Sequence, residues 1–453
     1  MGEAAPEQAL LHAVFLRRLA EASSGPSSQA RLGHGAFLTL RLVDLLDPAQ
    51  QAVRPDAFAY QLAGLDRACR QLPGDSTETA HLIGLMHATA DAFRARDTQL
   101  VVPALLAYAH YLEDELLLEE ALDVLDTALR VGGEALRDSD RVASRLRVAR
   151  VLRKLNEFGA AEQAYSHAAT LAAATGDQHS VLLSRIGSAN TLVARGNLTY
   201  AERRLREILL DAEGLDDRDA QARAHQGLAV VLSTSGQPAQ AIPHEWRAFQ
   251  LYEDDLSRMR VLSDLGIMLL IIGDVDSAER ALTEIVRSGA NQDVVDNAMI
   301  ELMNCASYER DRVGFERWRD RCWERREEMP SNVLADFYLK AGIGRARFGQ
   351  FDRAEVLLRT ALKTAEGAGL HELVFRIERI NRGLRDCCEA CEAPSQSVAE
   401  PSNSMARVAV AVVAAMLRPR GVGTCRSAKS ERYDEQRDQG ANRARHKTSE
   451  SCR

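Results

Sequence analysis

Three cysteines near residue 390 have spacing that could hold a metal: Cys387, Cys388 and Cys391. A structural zinc site needs four ligands, usually Cys and His. The nearest histidine, His371, lies about four helical turns away on a segment that the pattern predicts to be one helix. The set is therefore incomplete. Free thiols near a helix end are the favoured interpretation, and no metal site or cofactor is predicted.

Two other clusters contain groups that could exchange protons. His81 and His87 are not separated by four residues, so they do not face one ligand on a helix, and helical packing accounts for them better. The acidic stretch Glu113-Asp114-Glu115, followed by Glu119-Glu120, is interpreted as a solvated turn rather than a cation site. An enzyme hidden in the N-terminal region would be indicated by substrate turnover lost on mutating His81 or His87.

Phosphate-binding and hydrolase motifs are missing from the sequence. No glycine-rich loop ends in Gly-Lys-Ser/Thr, and neither H-E-x-x-H nor G-x-S-x-G occurs. Gly342-Ile343-Gly344 imitates a dinucleotide fingerprint but has no preceding strand. We therefore predict no catalytic residues and a function other than catalysis.

The charge distribution argues against a nucleic-acid surface. The net charge of the 453 residues is -8, and residues 394–453 carry 11 basic and 6 acidic side chains, or +5. The remaining 46 basic and 59 acidic side chains give the rest of the chain -13. An acidic body is poorly suited to phosphate backbones. No nucleic-acid partner is expected.

The eight cysteines show no secretory disulfide framework, and the N-terminus has no basic segment followed by an apolar run. No stretch reaches the roughly 18 apolar residues that a membrane span needs. The apolar run 408–417 between Arg407 and Arg418 is too short. A cytoplasmic location without a membrane span is expected.

A pattern of small residues repeats along the chain and must organise it. Small residues that open the second helix of each unit recur every 37 to 40 residues, or at twice that interval: Ala121, Ala161, Ala201, Ala241, Ala278 and Ala354. Matching small residues in each first helix are Ala109, Ala149, Ala189, Ala229, Gly266 and Gly342. Between the two helices lie turn residues Asn156, Gly196, Gly236, Gly273 and Gly349. Small residues allow two helices to approach closely, and stacked helix pairs complete one another's core.

The pattern divides the chain into four regions. Residues 1–98 are predicted to be an irregular helical region, with helices at 34–46, 56–72 and 75–96 that could be degenerate repeats or a separate cap. The repeat array covers 99–370, a capping helix follows at 371–393, and 394–453 is predicted to be a disordered basic tail. One unit, 292–329, lacks the pattern because Val313–Trp318 replaces the usual turn and alanine. We interpret this as drift, with Trp318 and Trp323 packing against neighbours.

The two sets of small residues, one in the first helices and one in the second helices, form columns that resemble those of the tetratricopeptide repeat family over residues 99–370. The resemblance implies an all-α fold, a right-handed superhelical solenoid of antiparallel helix pairs. The period is longer than the usual 34 residues, and the closing proline is absent. A longer-helix variant is therefore predicted, similar to those in bacterial peptide-sensing regulators.

The same resemblance implies that first-helix residues line a concave binding groove. Carried over position by position, it predicts a groove that includes Arg150, Arg153, Lys154, Ile186, Asn190, Val193, Arg223 and Gln226. Arginine offers a fork of donors to a carboxylate, and asparagine can both donate to and accept from a peptide backbone. The competing interpretation is that these cations only pair with acidic side chains of the repeats.

The predicted function is a non-catalytic scaffold that recognises an extended protein or peptide segment in this groove. The alternative is a regulatory protein whose superhelix changes shape when a signalling peptide or partner binds.

Overall fold

The computed structural model describes residues 10–20, 28–49, 53–289 and 291–389, and these contain α-helices and three short 3-10 turns but no strand. The first four helices are α1 (Ala13–Ala20), α2 (Ser28–Val43), α3 (Pro55–Cys69) and α4 (Thr77–Ala95). Seven helix pairs follow: α5 (Val102–Asp114) and α6 (Leu118–Gly132), α7 (Asp138–Lys154) and α8 (Phe158–Ala174), α9 (Gln178–Ala194) and α10 (Leu198–Gly214), α11 (Arg218–Thr234) and α12 (Pro238–Leu251), α13 (Asp255–Ile271) and α14 (Val275–Ser288), α15 (Gln292–Tyr308) and α16 (Arg312–Arg325), and α17 (Ser331–Arg347) and α18 (Phe351–Gly367). The last helix is α19 (His371–Glu389).

Local sequence fixes where the repeat helices start and stop. Aspartates immediately before α9, α11, α13 and α14 accept a hydrogen bond from a backbone N–H in the first turn, as Asp177 does from Ser180 at 3.0 Å. This satisfies one of the donors that a helix start leaves unpaired. Each turn inside a pair contains a residue with positive φ, and the five predicted from sequence, Asn156, Gly196, Gly236, Gly273 and Gly349, all have it.

The columns of small residues lie at the helix contacts, as predicted. The ten alanines of the two columns are each 0 or 1% exposed. At Gly266 an added Cβ would lie 2.9 Å from Leu282 Cγ, so α13 and α14 meet where only a hydrogen fits. Each helix packs against the one before and the one after it. The all-α solenoid of stacked helix pairs is therefore confirmed.

The N-terminal helices share a hydrophobic core with the first repeats. Phe15 of α1 and Leu40 of α2 belong to the same buried cluster as Tyr108 of α5. A buried ion pair and a hydrogen bond add to this contact: Arg18 donates to Glu78 at 2.9 Å, and the hydroxyl of Tyr108 donates to the same carboxylate at 2.8 Å. Helix α2 begins at Ser28, earlier than the predicted residue 34, and the core continues across residue 98.

The unit without the sequence pattern is nevertheless a helix pair, α15 and α16. Phe315 occupies the place of the usual small residue, is fully buried, and packs against Gly344 of α17, where a Cβ would lie 2.2 Å from its ring. Trp318 is buried as predicted. Trp323 contacts Tyr338 edge-on but remains 46% exposed, so the prediction that it packs against neighbours holds only in part. A cavity of about 660 Å³ opens beside it and is lined by α16, α17 and α18.

The predicted tail lies outside the described residues, as does Cys391, and the same is true of the side chains of Cys387 and Cys388. Among the helices that are described, none is both long enough and apolar enough to cross a membrane.

Candidate functional site

The first helices of successive pairs line a groove that consists of three adjoining cavities. The basic cavity, about 440 Å³, lies along α7, α9, α11 and α13. A second cavity of about 380 Å³ shares its Asn190 wall and extends toward Val230. The acidic cavity, about 430 Å³, lies along α13, α15 and α17 and shares Gln226 and Arg260 with the basic cavity. The three cavities therefore form one continuous surface along the first helices of six pairs, α7 to α17, and the acidic cavity also reaches Asp114 of α5.

All eight groove residues predicted from sequence line these cavities. The basic cavity contains seven of them, and Val193 lines the second cavity. The helical spacing of three, four or seven residues places them on one face of α7, α9 and α11. Gly187 and Gly227 form the floor between them, and Tyr165 and Leu205 fill the space that a side chain there would need.

Several of the predicted cations are already paired with acidic side chains. Glu113 of α5 is fully buried and forms ion pairs with Arg150 at 2.7 Å, Lys154 at 2.8 Å and Arg147 at 3.2 Å. Burial alone would raise the pKa of Glu113, but Arg150 and Lys154 bring it below its ordinary value. The expectation that residues 113–115 form a solvated turn is therefore wrong for Glu113. Its carboxylate is excluded from water because three cations of α7, the first helix of the next pair, close over it.

Other polar groups in the basic cavity keep unused donors. Arg153 forms no ion pair in the described part of the chain, and its buried Nε has no hydrogen-bond acceptor there. Tyr165 lies beside it, and burial raises the pKa of Tyr165 while Arg153 opposes the shift. Asn190 makes no side-chain hydrogen bond with the described residues, and its amide oxygen lies over Gly227. Arg260 likewise has no ion pair within the described ranges. Asn190 and Arg260 can therefore contact a ligand without breaking existing contacts, whereas Arg153 also interacts with Tyr165.

Gln226 is held in a chain of hydrogen bonds rather than free in the groove. The hydroxyl of Tyr252 donates to Gln226 Oε1 at 2.9 Å, and Gln226 Nε2 donates to Asp264 Oδ2 at 3.4 Å. Burial raises the pKa of Asp264 to about 6 despite that hydrogen bond and nearby Arg260. The structure therefore places Gln226 at the boundary between the basic and acidic cavities, with its amide orientation fixed.

The acidic cavity was not predicted from sequence. Its carboxylates are Asp114, Asp264, Asp293, Glu301 and Asp336. Asp336 is the sixth residue of α17, the place that Arg223 and Arg260 occupy in α11 and α13. Asp336 therefore lies at a groove position that the repeat resemblance implies, in the pair that follows the irregular unit.

Asp114 and Glu115 at the end of α5 lie close to Asp293 at the start of α15, although about five helix pairs separate them in the chain. Burial raises the pKa of Glu115, and Asp293 raises it further. The pKa of Asp293 is raised in turn by burial, then by Asp296 and Asp114. The superhelix thus brings like charges of its first and sixth pairs together across the groove.

The remaining candidates do not form a site. His81 lies against Tyr108 and Tyr111, with ring centroids 6.2 and 5.0 Å apart, and burial lowers its pKa. This is the packing role that the spacing indicated for His81, whereas His87 is exposed and does not fit it. Among the described residues, no group of three or more His, Cys, Asp or Glu side chains is arranged to hold a metal ion.

Comparison with solved structures supports the fold. The Rap conjugation gene regulator of plasmid pLS20 in complex with the Phr* peptide is 11% identical and has a TM-score of 0.50 over 77% of this chain and 96% of that chain. A Rap protein complexed with competence and sporulation factor is 12% identical, with a TM-score of 0.48 over 76% and 99%. The apo quorum sensor NprR from B. thuringiensis is 11% identical, with a TM-score of 0.46 over 77% and 91%.

No protein-family model matches the sequence, and no curated protein is detectably similar to it. At identities near 11% the structural likeness shows the fold alone. Together with the buried small residues of the repeat, it confirms the all-α architecture of stacked helix pairs expected from the sequence.

Proposed function

We propose that this protein binds an extended protein or peptide segment in its concave groove. The observation that carries the proposal is the basic cavity of about 440 Å³, which is lined by Arg153 and Arg260, without an ion pair to any described residue, and by Asn190, without a side-chain hydrogen bond to one. Repeat solenoids use such concave surfaces for extended ligands. Side chains from several pairs would contact one segment at once.

Each group has a distinct role in this binding. Arg153, held beside Tyr165, presents its guanidinium to a carboxylate of the ligand, either a terminus or an acidic side chain. Asn190, over the glycine floor, donates to and accepts from the peptide backbone. Arg150 and Lys154 remain paired with Glu113 and supply positive potential rather than a free fork. The likeness to a Rap regulator in complex with a peptide adds support.

The test measures retention of peptides by the immobilised full chain. A pool of randomised synthetic hexapeptides with free C-terminal carboxylates is passed over the protein, and bound peptides are quantified by mass spectrometry. Arg153→Gln should weaken binding about tenfold or more, because a hydrogen bond to a charged group contributes about 1.5–3 kcal/mol. Arg206→Gln on the outer helix α10, where Arg206 pairs with Glu202 at 2.7 Å, is the matched control.

Equal retention by wild type and both variants would refute the assigned role of Arg153. If the wild type retains no hexapeptide, groove binding itself is refuted. Circular dichroism melting curves of the two variants verify that both are folded.

A second candidate function is a regulator that changes shape with its ligand. The observation that favours it is the proximity of Asp114 and Glu115 to Asp293 across the groove. Repulsion between like charges opposes closure of the superhelix, so a ligand that neutralises them would favour a more closed form. Ligand-dependent compaction in solution scattering would support this function, and an unchanged radius of gyration at saturating ligand would exclude it.

A further inference from the structure

The charge of the groove changes sign along its length. The basic cavity is lined by five cations, Arg150, Arg153, Lys154, Arg223 and Arg260, and by no described carboxylate. The acidic cavity is lined by the five carboxylates named above and by two cations, Arg260 and Lys340, a balance of -3. Arg260 lies at the boundary.

Existing ion pairs do not remove this difference. On the basic side, Glu113 offsets one of the three charges of Arg147, Arg150 and Lys154, and Asp219 offsets Arg223. Arg153 and Arg260 remain without an ion pair in the described ranges.

On the acidic side, Lys340 is shared by Glu301, at 2.5 Å, and Asp336. Asp264 and Asp293 form no ion pair with any described residue, and Asp114 has only His110, at 3.5 Å. Each end of the groove therefore retains uncompensated charge of its own sign.

We propose that the groove selects dipolar segments, with the negatively charged end of the ligand in the basic cavity and a cationic group, an amine or guanidinium, in the acidic cavity. This inference rests on the proposed function, since it concerns which peptides the same groove accepts. Complementary potentials of this kind fix the direction of a ligand and exclude the opposite one.

The geometry also limits the spacing of the two charges. The centres of the cavities are separated by about two steps between neighbouring first helices, and packed helices lie about 8–10 Å apart. Extended peptide advances about 3.3 Å per residue. The cationic and acidic groups of a ligand should thus be about five or six residues apart.

The acidic cavity would connect distant parts of the chain when occupied. Asp114 belongs to α5, whereas Asp264, Asp293 and Asp336 belong to α13, α15 and α17. A cation among these carboxylates replaces repulsion between the first and sixth pairs with attraction to a shared partner.

The experiment uses the randomised hexapeptide pool and reads the sequences of the retained peptides. Wild type should enrich peptides with a Lys or Arg side chain at one end and an Asp or Glu side chain at the other. The double variant Asp114→Asn, Asp293→Asn should lose at least threefold of the enrichment for the cationic end and keep that for the acidic end. Asp276→Asn, Asp352→Asn, which removes two charges in the first turns of outer helices α14 and α18, is the matched control.

The possible results separate the two proposals. If wild type retains peptides without enriching a cationic end, the dipolar selection is overturned and peptide binding remains. The same conclusion follows if the Asp276→Asn, Asp352→Asn control loses as much of the cationic enrichment as the groove variant. Absence of any retained peptide overturns both. Asp114 and Asp293 are substituted at a site of mutual repulsion, so their loss does not threaten folding; a melting temperature at or above that of wild type confirms this.

Discussion

At the scale of single residues, the core contains a carboxyl group without a partner. Glu245 of α12 is fully buried, and neither of its oxygens has a hydrogen-bond partner among the described residues. It lies four residues after Ala241, where other units have Tyr165, Leu205, Leu282 and Leu358. Burial, and then Asp264 of the next helix, raise its pKa well above 4.5. The group is therefore neutral in the folded protein at conditions where it is ionised in the unfolded chain.

Replacing Glu245 with leucine should stabilise the fold by about 2 kcal/mol near neutral pH, because an unsatisfied buried polar group costs about 1–3 kcal/mol. The gain should increase with pH. A folded-state pKa above the unfolded value of 4.5 gives stability that is complete below pH 4.5 and is lost as pH rises toward the folded pKa. The measurement is the free energy of unfolding in urea at several pH values from 5 to 8.

Glu213→Leu on the exposed side of α10 is the control and should change stability by less than about 0.5 kcal/mol. A Glu245→Leu protein no more stable than wild type, or one whose advantage shrinks as pH rises, would contradict this account.

Single residues also show where sequence reasoning ends. Arg153 and Asn190 were predicted because the resemblance to tetratricopeptide repeats carries the groove positions of that family over to them. The burial of Glu113 was not predicted, because it depends on three cations from α7, the first helix of the following pair. Asp293 and Asp114 could not be paired from sequence, since their proximity results from the accumulated rotation of about five helix pairs.

At the scale of the helical elements, glycines set the distance between neighbouring pairs. Gly187 of α9 lies against Tyr165 of α8, and an added Cβ would be 2.1 Å from Tyr165 Cε1. Such a separation is impossible, and a 5% exposed tyrosine has little room to move. The position of helix α9, and with it that of the groove residue Asn190, therefore depends on the absence of a side chain at Gly187.

The variant Gly187→Ala should lower the free energy of unfolding by about 1–3 kcal/mol, the usual cost of overpacking. It should also weaken peptide retention, because Tyr165 supports Arg153 in the groove. Gly159→Ala in α8 is the matched control, since its Cβ would meet no atom within 4 Å. In a helix alanine is better than glycine by up to about 1 kcal/mol, so the control should be neutral or stabilising. Equal unfolding free energies for the two variants would contradict the close contact.

The helix pairs were the part of this fold that the sequence predicted best. The alanine columns and glycine turns identified six helix pairs, because close approach and positive φ restrict the residues allowed. The pair α15 and α16 lacks that signature because Phe315 fills its contact from one side and Gly344 accommodates it from the next pair. A contact in which a large residue of one helix pair is accommodated by a glycine of the next pair cannot be recognised from the sequence pattern of a single pair.

At the scale of the whole molecule, the like charges across the groove should affect the overall dimensions. Each pair formed by Asp293 with Asp114 or Glu115 contributes repulsion below about 1 kcal/mol in a water-like surrounding, which is enough to shift a balance between open and closed superhelices. At low salt, Asp114→Asn, Asp293→Asn should therefore have a smaller radius of gyration than wild type. At about 1 M salt, where the screening length is about 3 Å, the two should agree.

Small-angle X-ray scattering of the full chain at both salt concentrations provides the measurement. The Asp276→Asn, Asp352→Asn control loses the same net charge from outer helices and should match wild type throughout. If it compacts equally, net charge rather than the contact across the groove determines the dimensions. If only the groove variant compacts, the repulsion between α5 and α15 holds the superhelix open, and a cationic ligand group at that place would close it.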